Sequence, residues 1–422
     1  MTYLTPMKKI FSLLGMLVCM QTMAQQAFVA NYDEAKIVPF TLPNPLQKTD
    51  GTLIQSAKAW GNQRNYWLGL YEQYMFGKMP TKKISQSYQL ISKTNILQGK
   101  ATQYVWKLTL AGKYDVTILG VLPKLKTKVP VFIGLNFCGN QTTSNDPNIP
   151  LFDKYTVCNN KPAYINNKGQ EESRGAWASR WQFEKLIAAG YGSITIACGD
   201  FEEDKPDGYL TGVRGLLANE LGLQADEWSA NGAWAWGLNR TVDFLEKIPQ
   251  IDSKRILLHG HSRLGKAALW AGATDTRYAA VISNESGEGG AAIARRNFGE
   301  NLWRITNSFP HWFYKDYKNY AYKENELPFD SHILLSLVAP RPLYIASAVG
   351  DQWSDPKGEF MGGQQAEAVY QLFGKSGLGK NEFPALNTPV GQQVRYHIRE
   401  GNHDINAYDW DQYIDFANKL VK

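Results

Sequence analysis

Residues 260–266 read Gly-His-Ser-Arg-Leu-Gly-Lys, between a mostly apolar run at 255–258 and an alanine-rich helical pattern at 266–273. This order predicts a strand, a sharp turn that carries Ser262, and a helix. Small residues flank the serine because a strained turn brings the strand and the helix close together. In such a turn the hydroxyl projects above the sheet, and the helix N-terminus adds positive potential where an oxyanion would form. The stretch therefore predicts a nucleophilic serine.

Apolar segments suited to buried strands alternate with helical segments along most of the chain. The predicted strands are 103–110, 114–122, 129–137, 192–198, 255–259, 279–283, 342–348 and 394–399, and the main predicted helices are 177–189 and 233–247. This alternation, with the serine turn, predicts an α/β-hydrolase fold, a mostly parallel, doubly wound sheet sandwiched by helices. Residues 25–422 are expected to form one catalytic domain. Its N-terminal segment, 25–100, would wrap the core and form one helix near 62–76.

The composition is that of an ordinary globular protein. Of the 422 residues, 44% are hydrophobic and 20% are charged. The chain has 13 Trp and 22 Tyr, side chains that can stack on sugar rings, so a carbohydrate ligand is worth considering. The formal charge of +6 is too mild, and the basic residues too scattered, to indicate a nucleic acid partner.

The first 24 residues have the features of a cleaved signal peptide. Lys8 and Lys9 precede an apolar stretch at 10–20, and Thr22-Met23-Ala24 matches the small-x-small pattern of a cleavage site. The apolar stretch is too short to span a bilayer comfortably, so no membrane insertion is expected. These features predict export to the periplasm or beyond.

The cysteines and histidines give little support to a metal centre. Beyond residue 24 there are three cysteines, Cys138, Cys158 and Cys198, which allow at most one disulfide. No Cys-x-x-Cys pair is present, and no ligand cluster completes a site with His259 and His261. We therefore expect neither a metal nor another cofactor.

A serine nucleophile needs a base, and the chain has only 6 histidines to supply it. His403 follows the predicted strand 394–399, where this fold carries its base, in the chain order nucleophile, acid, base. His259 and His261 lie in the strand and turn that lead to Ser262, a segment called the elbow from here on. His311 and His332 lie in an aromatic and acidic insert, and His397 lies within a predicted strand. His403 is thus the predicted base.

Two carboxylates compete for the acid that orients this histidine. Asp351 comes immediately after the predicted strand 342–348, where the acid commonly lies. Glu285 comes one strand earlier, in a glycine-rich loop that would let it approach the site closely. Asp355, before Pro356, is a weaker third candidate. The residues alone do not choose between the first two.

An oxyanion hole needs two donors aimed at the developing charge. The backbone N–H of Arg263 is one by position, and the loop at 136–140 after a predicted strand is a candidate for the other. The guanidinium of Arg263 would be a charged donor, stronger than an amide.

Several motifs together carry a resemblance to one family. The elbow has Leu264 where a glycine usually stands two residues after the serine. Downstream lie NESGEGG (284–290), GENLWRI (299–305), GDQWSDP (350–356) and EGNHD (400–404). With these motifs, and with LPNPL, GLNFCGN and EWSANGAWAWGLNR upstream, the chain resembles the bacterial glucuronoyl esterases, carbohydrate esterase family 15. The likeness covers almost all residues after the predicted leader.

The resemblance implies hydrolysis, without a metal, of esters between 4-O-methyl-glucuronic acid on xylan and lignin alcohols. It implies that Ser262 is the nucleophile, that His403 is the base and that Arg263 stabilises the oxyanion. Glu285 would be the acid found throughout the family, and Asp351 the extra acid of many bacterial members. The hydroxyls and ring of the glucuronoyl group would be bound by Lys266, Glu300 and Trp353. Fungal members carry a disulfide-bonded cysteine before the serine. His261 stands there in this chain, so that bridge is not expected.

Other functions stay open at this point. The runner-up is an acetylxylan or feruloyl-type carbohydrate esterase, although relatives with those activities keep the glycine two residues after the serine. A non-catalytic carbohydrate-binding protein is less favoured, because the serine, the histidine and both acids are present. We expect a monomer whose partner is glucuronoxylan or a lignin–carbohydrate ester.

Overall fold

A computed structural model describes residues 1–2, 28–160, 164–379 and 382–421 of the chain. The predicted signal peptide, 1–24, therefore lies outside the described residues except for its first two positions. In the described part of the chain, no helix combines the length and apolar character needed to cross a bilayer.

Twelve strands and eleven α-helices follow one another along the described chain. The strands are β1 (Gln86–Ile96), β2 (Ala101–Leu110), β3 (Tyr114–Pro123), β4 (Val129–Asn136), β5 (Tyr164–Ile165), β6 (Lys168–Gly169), β7 (Gly192–Ala197), β8 (Ile251–His261), β9 (Ala280–Asn284), β10 (Leu343–Ala348), β11 (Val390–Gly391) and β12 (Val394–Arg399). The helices are α1 (Ala57–Tyr71), α2 (Phe183–Ala188), α3 (Cys198–Phe201), α4 (Val213–Leu216), α5 (Ala218–Leu221), α6 (Ala230–Leu245), α7 (Arg263–Thr274), α8 (Leu302–Ser308), α9 (Ser331–Ser336), α10 (Pro356–Leu372) and α11 (Ala407–Leu420).

Ten of the strands form one sheet in the order β1-β2-β3-β7-β4-β8-β9-β10-β12-β11. The strands from β7 to β12 in this order pair in parallel. Antiparallel strands β1 to β3 extend one edge, and β11 closes the other. Parallel neighbours need crossover connections, and the helices in those connections cover the sheet. The predicted α/β-hydrolase fold with its mostly parallel sheet is confirmed.

The central strands bury both faces, and alternate residues divide between two cores. Phe132, Leu257 and Tyr344 belong to the core beneath α2 and α11. The neighbouring residues Val131 and Ile256 belong to the larger core beneath α6, α7, α9 and α10. Burial on both faces explains why these strands are apolar runs in the sequence instead of alternating patterns.

Two local expectations differ from the structure. The N-terminal segment, 25–100, contributes the edge strand β1 as well as the predicted helix, which is α1. No pattern in the sequence predicts β1, because an edge strand with most of its side chains exposed has no apolar run. The predicted helix at 177–189 is only a 3₁₀ turn followed by α2, because Gln182 between them has a left-handed φ of 43°.

Aromatic contacts join the N-terminal segment to the large core. The ring of Tyr71 lies 4.1 Å from that of Phe329, and Phe76 stacks on Trp270 at 4.6 Å. Trp67 donates a hydrogen bond from its indole to the carbonyl of Pro45. On the strength of these contacts we propose that residues 25–422 form one catalytic domain, with the N-terminal segment wrapped on its core.

Candidate active site

Ser262 lies between the last residue of β8 and the first residue of α7, with φ 57° and ψ −133°. A positive φ is strained for a side chain other than glycine, and such strain gathers at functional sites. Positions 260 and 265, on either side of the serine, leave no room for a side chain and therefore require glycine. A Cβ at Gly260 would lie 2.1 Å from the carbonyl oxygen of Leu264, and one at Gly265 would lie 2.9 Å from Ser286. The predicted strand, serine turn and helix are therefore present.

Backbone and side-chain bonds from β9 fix this elbow. The N–H of Ser262 donates to the carbonyl of Asn284 at 2.9 Å. The side-chain oxygen of Asn284 lies 2.6 Å from Nδ1 of His261, and its amide donates to the hydroxyl of Tyr413. The His261 ring in turn lies 4.5 Å from the ring of His403. Burial holds the pKa of His261 well below its usual range, so this ring is a neutral neighbour of the predicted base.

The loop after β12 carries His403 to the two competing acids. Nδ1 of His403 lies 2.6 Å from Oδ2 of Asp351 and 3.2 Å from Oε2 of Glu285. Both carboxylates are buried, whereas 39% of the histidine side chain is exposed. The structure thus brings all three predicted residues together, and both acids face the same nitrogen of the base.

The three groups shift one another's proton affinity. Burial disfavours the charged imidazole, but the hydrogen bonds and charges of Asp351 and Glu285 outweigh it and raise the pKa of His403 to about 9. Burial raises the pKa of Glu285 to about 8 against the opposing effects of His403 and Arg399. At Asp351 the burial effect is outweighed by the bond from His403, so its pKa is lowered. Asp351 is therefore the acid that ionises more readily.

Arg263 is held beside the elbow by a group that sequence reasoning missed. Its guanidinium donates to Oδ2 of the buried Asp204 at 2.7 Å. The other carboxylate oxygen of Asp204, Oδ1, accepts hydrogen bonds from Nε2 of His311 at 2.8 Å and from the indole N–H of Trp312 at 2.6 Å. Despite burial, Arg263 and His311 lower the pKa of Asp204 to about 2, so it is an anion at neutral pH. The signal was the acidic run 202–204 shortly after the carboxyl end of β7, the sheet edge where functional groups gather.

The loop after β4 also reaches Arg263. The ring of Phe137 lies 5.2 Å from the guanidinium carbon, and the Trp312 ring lies 4.7 Å from it. A disulfide joins Cys138 to Cys158, while Cys198 is buried and free. The segment 136–140, predicted as a source of a second oxyanion donor, therefore adjoins the arginine and is covalently anchored.

The three predicted sugar ligands form one cluster. Nζ of the buried Lys266 donates to the carbonyl of Ser286, and burial lowers its pKa against the opposing charge of Glu300. Glu300 donates its backbone N–H to the carbonyl of Trp353 at 2.9 Å, and its carboxylate accepts the indole N–H. Because Lys266 lies one helical turn after Ser262, this cluster borders the predicted nucleophile.

The buried carboxyl group of Glu359 binds next to both loops that carry the acids, the one with Glu285 and the one with Asp351. Oε1 of Glu359 accepts the backbone N–H of Gly287 at 3.0 Å, and Oε2 accepts the hydroxyl of Ser347 at 2.6 Å. Gly287 lies two residues after Glu285, and Ser347 lies four residues before Asp351. Sequence reasoning gave no reason to single out this helical glutamate, since only the packing of α10 brings it beneath the loops.

Among the described residues, one cluster has the spacing of metal ligands: the donor atoms of Glu285, Asp351 and His403 lie within 4.8 Å of one another. Glu285 already has a cationic partner, because Arg399 donates to its Oε1 at 2.6 Å. The arrangement is that of a histidine between two carboxylates, either of which can orient an imidazole through Nδ1. That the reaction needs no metal stays a prediction.

Comparison with known proteins identifies the family. A family model described as glucuronyl esterase of fungi matches residues 221–374. The chain is 43% identical over 92% of its length, and 91% of the relative's, to the carbohydrate esterase MZ0003 from an unknown prokaryotic organism. It is 44% identical to a glucuronoyl esterase from Solibacter usitatus, whose structure matches 92% of this chain and 100% of that one with a TM-score of 0.86. This chain belongs to the glucuronoyl esterases, carbohydrate esterase family 15.

This glucuronoyl esterase is a carboxylic ester hydrolase, as the sequence predicted. A partial match extends to fungi, with 36% identity to 4-O-methyl-glucuronoyl methylesterase 1 of Phanerochaete chrysosporium over 44% of this chain and 41% of that one. The fungal relative and the family model each match less of this chain than the Solibacter usitatus structure does.

Proposed function

We propose that this glucuronoyl esterase cleaves the ester between 4-O-methyl-glucuronic acid side chains of xylan and lignin alcohols through an acyl-enzyme on Ser262. The observation that carries the proposal is the convergence at one elbow of a histidine with two carboxylates, an anchored arginine, and a Lys–Glu–Trp cluster suited to a sugar. The name of the fungal relative, a 4-O-methyl-glucuronoyl methylesterase, supports this choice of acyl group.

In the proposed reaction, Oγ of Ser262 attacks the uronate carbonyl and gives its proton to Nε2 of His403. Asp351 accepts the Nδ1–H and stabilises the imidazolium that forms. The guanidinium and backbone N–H of Arg263 stabilise the oxyanion. When the intermediate collapses, the alcohol leaves with the proton from His403. Water, deprotonated by the same histidine, then attacks the acyl-enzyme and releases the uronic acid and the free serine.

The acyl side of the substrate is proposed to bind at the Lys266 cluster. Lys266 offers donors and Glu300 offers acceptors, so together they can pair with neighbouring sugar hydroxyls. The half-buried Trp353 supplies an apolar surface for the ring. Because these contacts hold the acid part of the ester, the reaction centre is fixed by the uronate, and the alcohol need not be specified.

The test of the proposed function compares wild type with Ser262→Ala on benzyl glucuronate, followed by release of benzyl alcohol. Wild type should hydrolyse this ester far faster than acetyl or feruloyl esters of xylan, and Ser262→Ala should reduce the rate by at least about a thousandfold. Hydrolysis by Ser262→Ala at the wild-type rate would refute the serine mechanism. Faster cleavage of acetyl or feruloyl esters would instead assign the enzyme to those substrates.

We also propose that the enzyme works after export, in the periplasm or outside the cell, as a monomer. Two features support export: the leader-like composition of residues 1–24 and the disulfide between Cys138 and Cys158, since disulfides persist in oxidising compartments. Expression of the full chain, N-terminal sequencing of the exported product and its molar mass in solution test both parts. A cytoplasmic product that keeps residues 1–24 would contradict the export proposal.

A further inference from the structure

Arg399 is the last residue of β12, and its buried guanidinium lies beneath the loop that carries His403. A guanidinium has five N–H donors. Each of them has an acceptor: Asp409 Oδ2 at 2.8 Å for Nε, the carbonyls of Glu400 at 3.0 Å and Asn402 at 3.3 Å for Nη1, and Glu285 Oε1 at 2.6 Å and the carbonyl of Asp404 for Nη2. No donor of this side chain is left for water or substrate, so its role is internal.

Three of these acceptors are backbone carbonyls of the loop 400–404. Two of them, on Asn402 and Asp404, belong to the residues directly before and after His403. Carbonyl oxygens that converge on one point repel one another unless a cation lies between them. The guanidinium therefore fixes the backbone on both sides of the base, while the imidazole itself is partly exposed.

The two carboxylates on Arg399 connect the loop to the rest of the site. Glu285 follows β9, and its second oxygen accepts the backbone N–H of Asp404 at 3.1 Å. Asp409 lies in the first turn of α11 and also accepts Nε2 of His397 at 2.9 Å. The guanidinium of Arg399 thus connects three elements: the loop 400–404 with His403, the loop with Glu285, and helix α11.

We propose that Arg399 is a positioning residue for the hydrolysis, which holds the imidazole of His403 in register with Ser262 and the two acids. It makes no contact with substrate and acts through the base. Its bond to Oε1 of Glu285 also occupies that carboxylate, which leaves Asp351 as the closer partner of Nδ1. The inference rests on the proposed role of His403 as base.

The experiment compares Arg399→Lys and Arg399→Gln with wild type on benzyl glucuronate, with kcat and KM measured separately. We expect Arg399→Gln to lower kcat about a hundredfold, because a misplacement of about 1 Å at a reacting group costs this much. Arg399→Lys should recover part of the loss, since an ammonium keeps the charge but cannot serve five acceptors. KM should change less than about threefold, because the Lys266 cluster is untouched.

Arg341 provides the matched control. It lies just before β10, at the opposite end of the strands, and its guanidinium also binds three backbone carbonyls, those of Gly272, Asp275 and Tyr278. Arg341→Gln removes the same kind of buried contact without touching the site. It should lower the melting temperature while leaving kcat of the folded enzyme unchanged.

A double-variant cycle separates positioning from a general structural effect. If Arg399 acts through the base, Arg399→Gln should cost little more once His403 has been changed to alanine. An unchanged kcat in Arg399→Gln, a loss confined to KM, an equal loss in Arg341→Gln or an additive double variant would each overturn the inference. Should Arg399→Gln fail to fold, the same cycle is made with Arg399→Lys. Activity in Ser262→Ala would instead refute the proposed function.

Discussion

Nδ1 of His403 lies 2.6 Å from the carboxylate of Asp351, at the end of the strand next to the one that carries Glu285. The distance from the same nitrogen to Glu285 is 3.2 Å. The shorter bond goes to the carboxylate whose pKa is lowered, and the longer bond goes to the one that Arg399 already engages. The geometry therefore ranks two acids that the sequence left equal.

We predict that both acids contribute and that Asp351 contributes more. Asp351→Asn should lower kcat/KM about a hundredfold or more and Glu285→Gln about tenfold, because only the first removes the closer anion from the imidazolium. The double variant should fall close to Ser262→Ala. Hydrolysis of benzyl glucuronate measures all three.

The control for these acid variants is Asp330→Asn, which changes another buried carboxylate with an arginine partner, Arg295. It should affect stability and not kcat. A larger loss in Glu285→Gln than in Asp351→Asn would reverse the ranking.

The rate should rise with pH through the neutral range. The base works only when its imidazole is neutral, and its two acidic neighbours raise the pKa of His403 to about 9. In Asp351→Asn the imidazolium loses its closer anion, so the midpoint of the rising limb should move to lower pH while the maximum rate falls. Profiles of kcat/KM against pH for wild type and Asp351→Asn check both, with the exposed Asp226→Asn as control. A midpoint that stays in place or rises would contradict the assignment of the limb to His403.

Loss of the anchor of Arg263 should weaken the oxyanion site without touching the base. Asp204→Asn removes the anion that holds the guanidinium at 2.7 Å, so we expect kcat to fall about tenfold to a hundredfold, somewhat less than loss of an oxyanion donor itself. The pH midpoint should stay at the wild-type value. Asp243→Asn, which breaks a partly buried ion pair with Arg277 in another part of the fold, serves as the control. Full activity in Asp204→Asn would show that Arg263 needs no such anchor.

The sugar cluster should govern which ester is cleaved. Glu300→Gln keeps the shape of the side chain but removes its charge beside Lys266, so KM for methyl glucuronate should rise about tenfold. The rate on p-nitrophenyl acetate, which has no sugar, should change little. The exposed Glu326→Gln is the control variant. Equal losses on both esters would mean that Glu300 supports the elbow instead of the substrate.

The disulfide should stabilise the fold and the loop beside Arg263. Its cysteines are separated by 20 residues, and closing a loop of this size contributes about 3 kcal/mol through the unfolded chain. Replacement of Cys138 and Cys158 by alanine should lower the free energy of unfolding by about that amount. A reducing agent should destabilise wild type and leave the double variant unchanged. If it affects both equally, the loss arises elsewhere.

Much of the fold was predictable because the elbow and the buried parallel strands leave strong local patterns. The edge strand β1 leaves none, since its residues face solvent and depend on β2 for their hydrogen bonds. The helix predicted at 177–189 was too long, because the single left-handed residue Gln182 interrupts it. The hydrophobic periodicity of the segment does not reveal such an interruption.

Some residues of the candidate site could likewise be predicted from the sequence, and others could not. Ser262, His403 and the two acids come shortly after strands, so topology places them at one sheet edge. The structure brings His403 to both acids and to His261, the residue before Ser262. Asp204 and Arg399 act through buried contacts with residues 59 and 114 positions away, respectively, and only packing reveals such partners. The acidic run 202–204 was a signal that Asp204 lies at the functional edge of the sheet, but its partner Arg263 could not be read from it, and Arg399 had no such signal.

The left-handed backbone of Ser262 makes the proposed nucleophile a site of stored strain. A conformation of this kind costs about 1–3 kcal/mol in a residue with a side chain, and glycine relieves it. Replacement of the serine by glycine would thus abolish the nucleophile and make the protein more resistant to unfolding. At this one position, selection for activity and selection for durability pull in opposite directions.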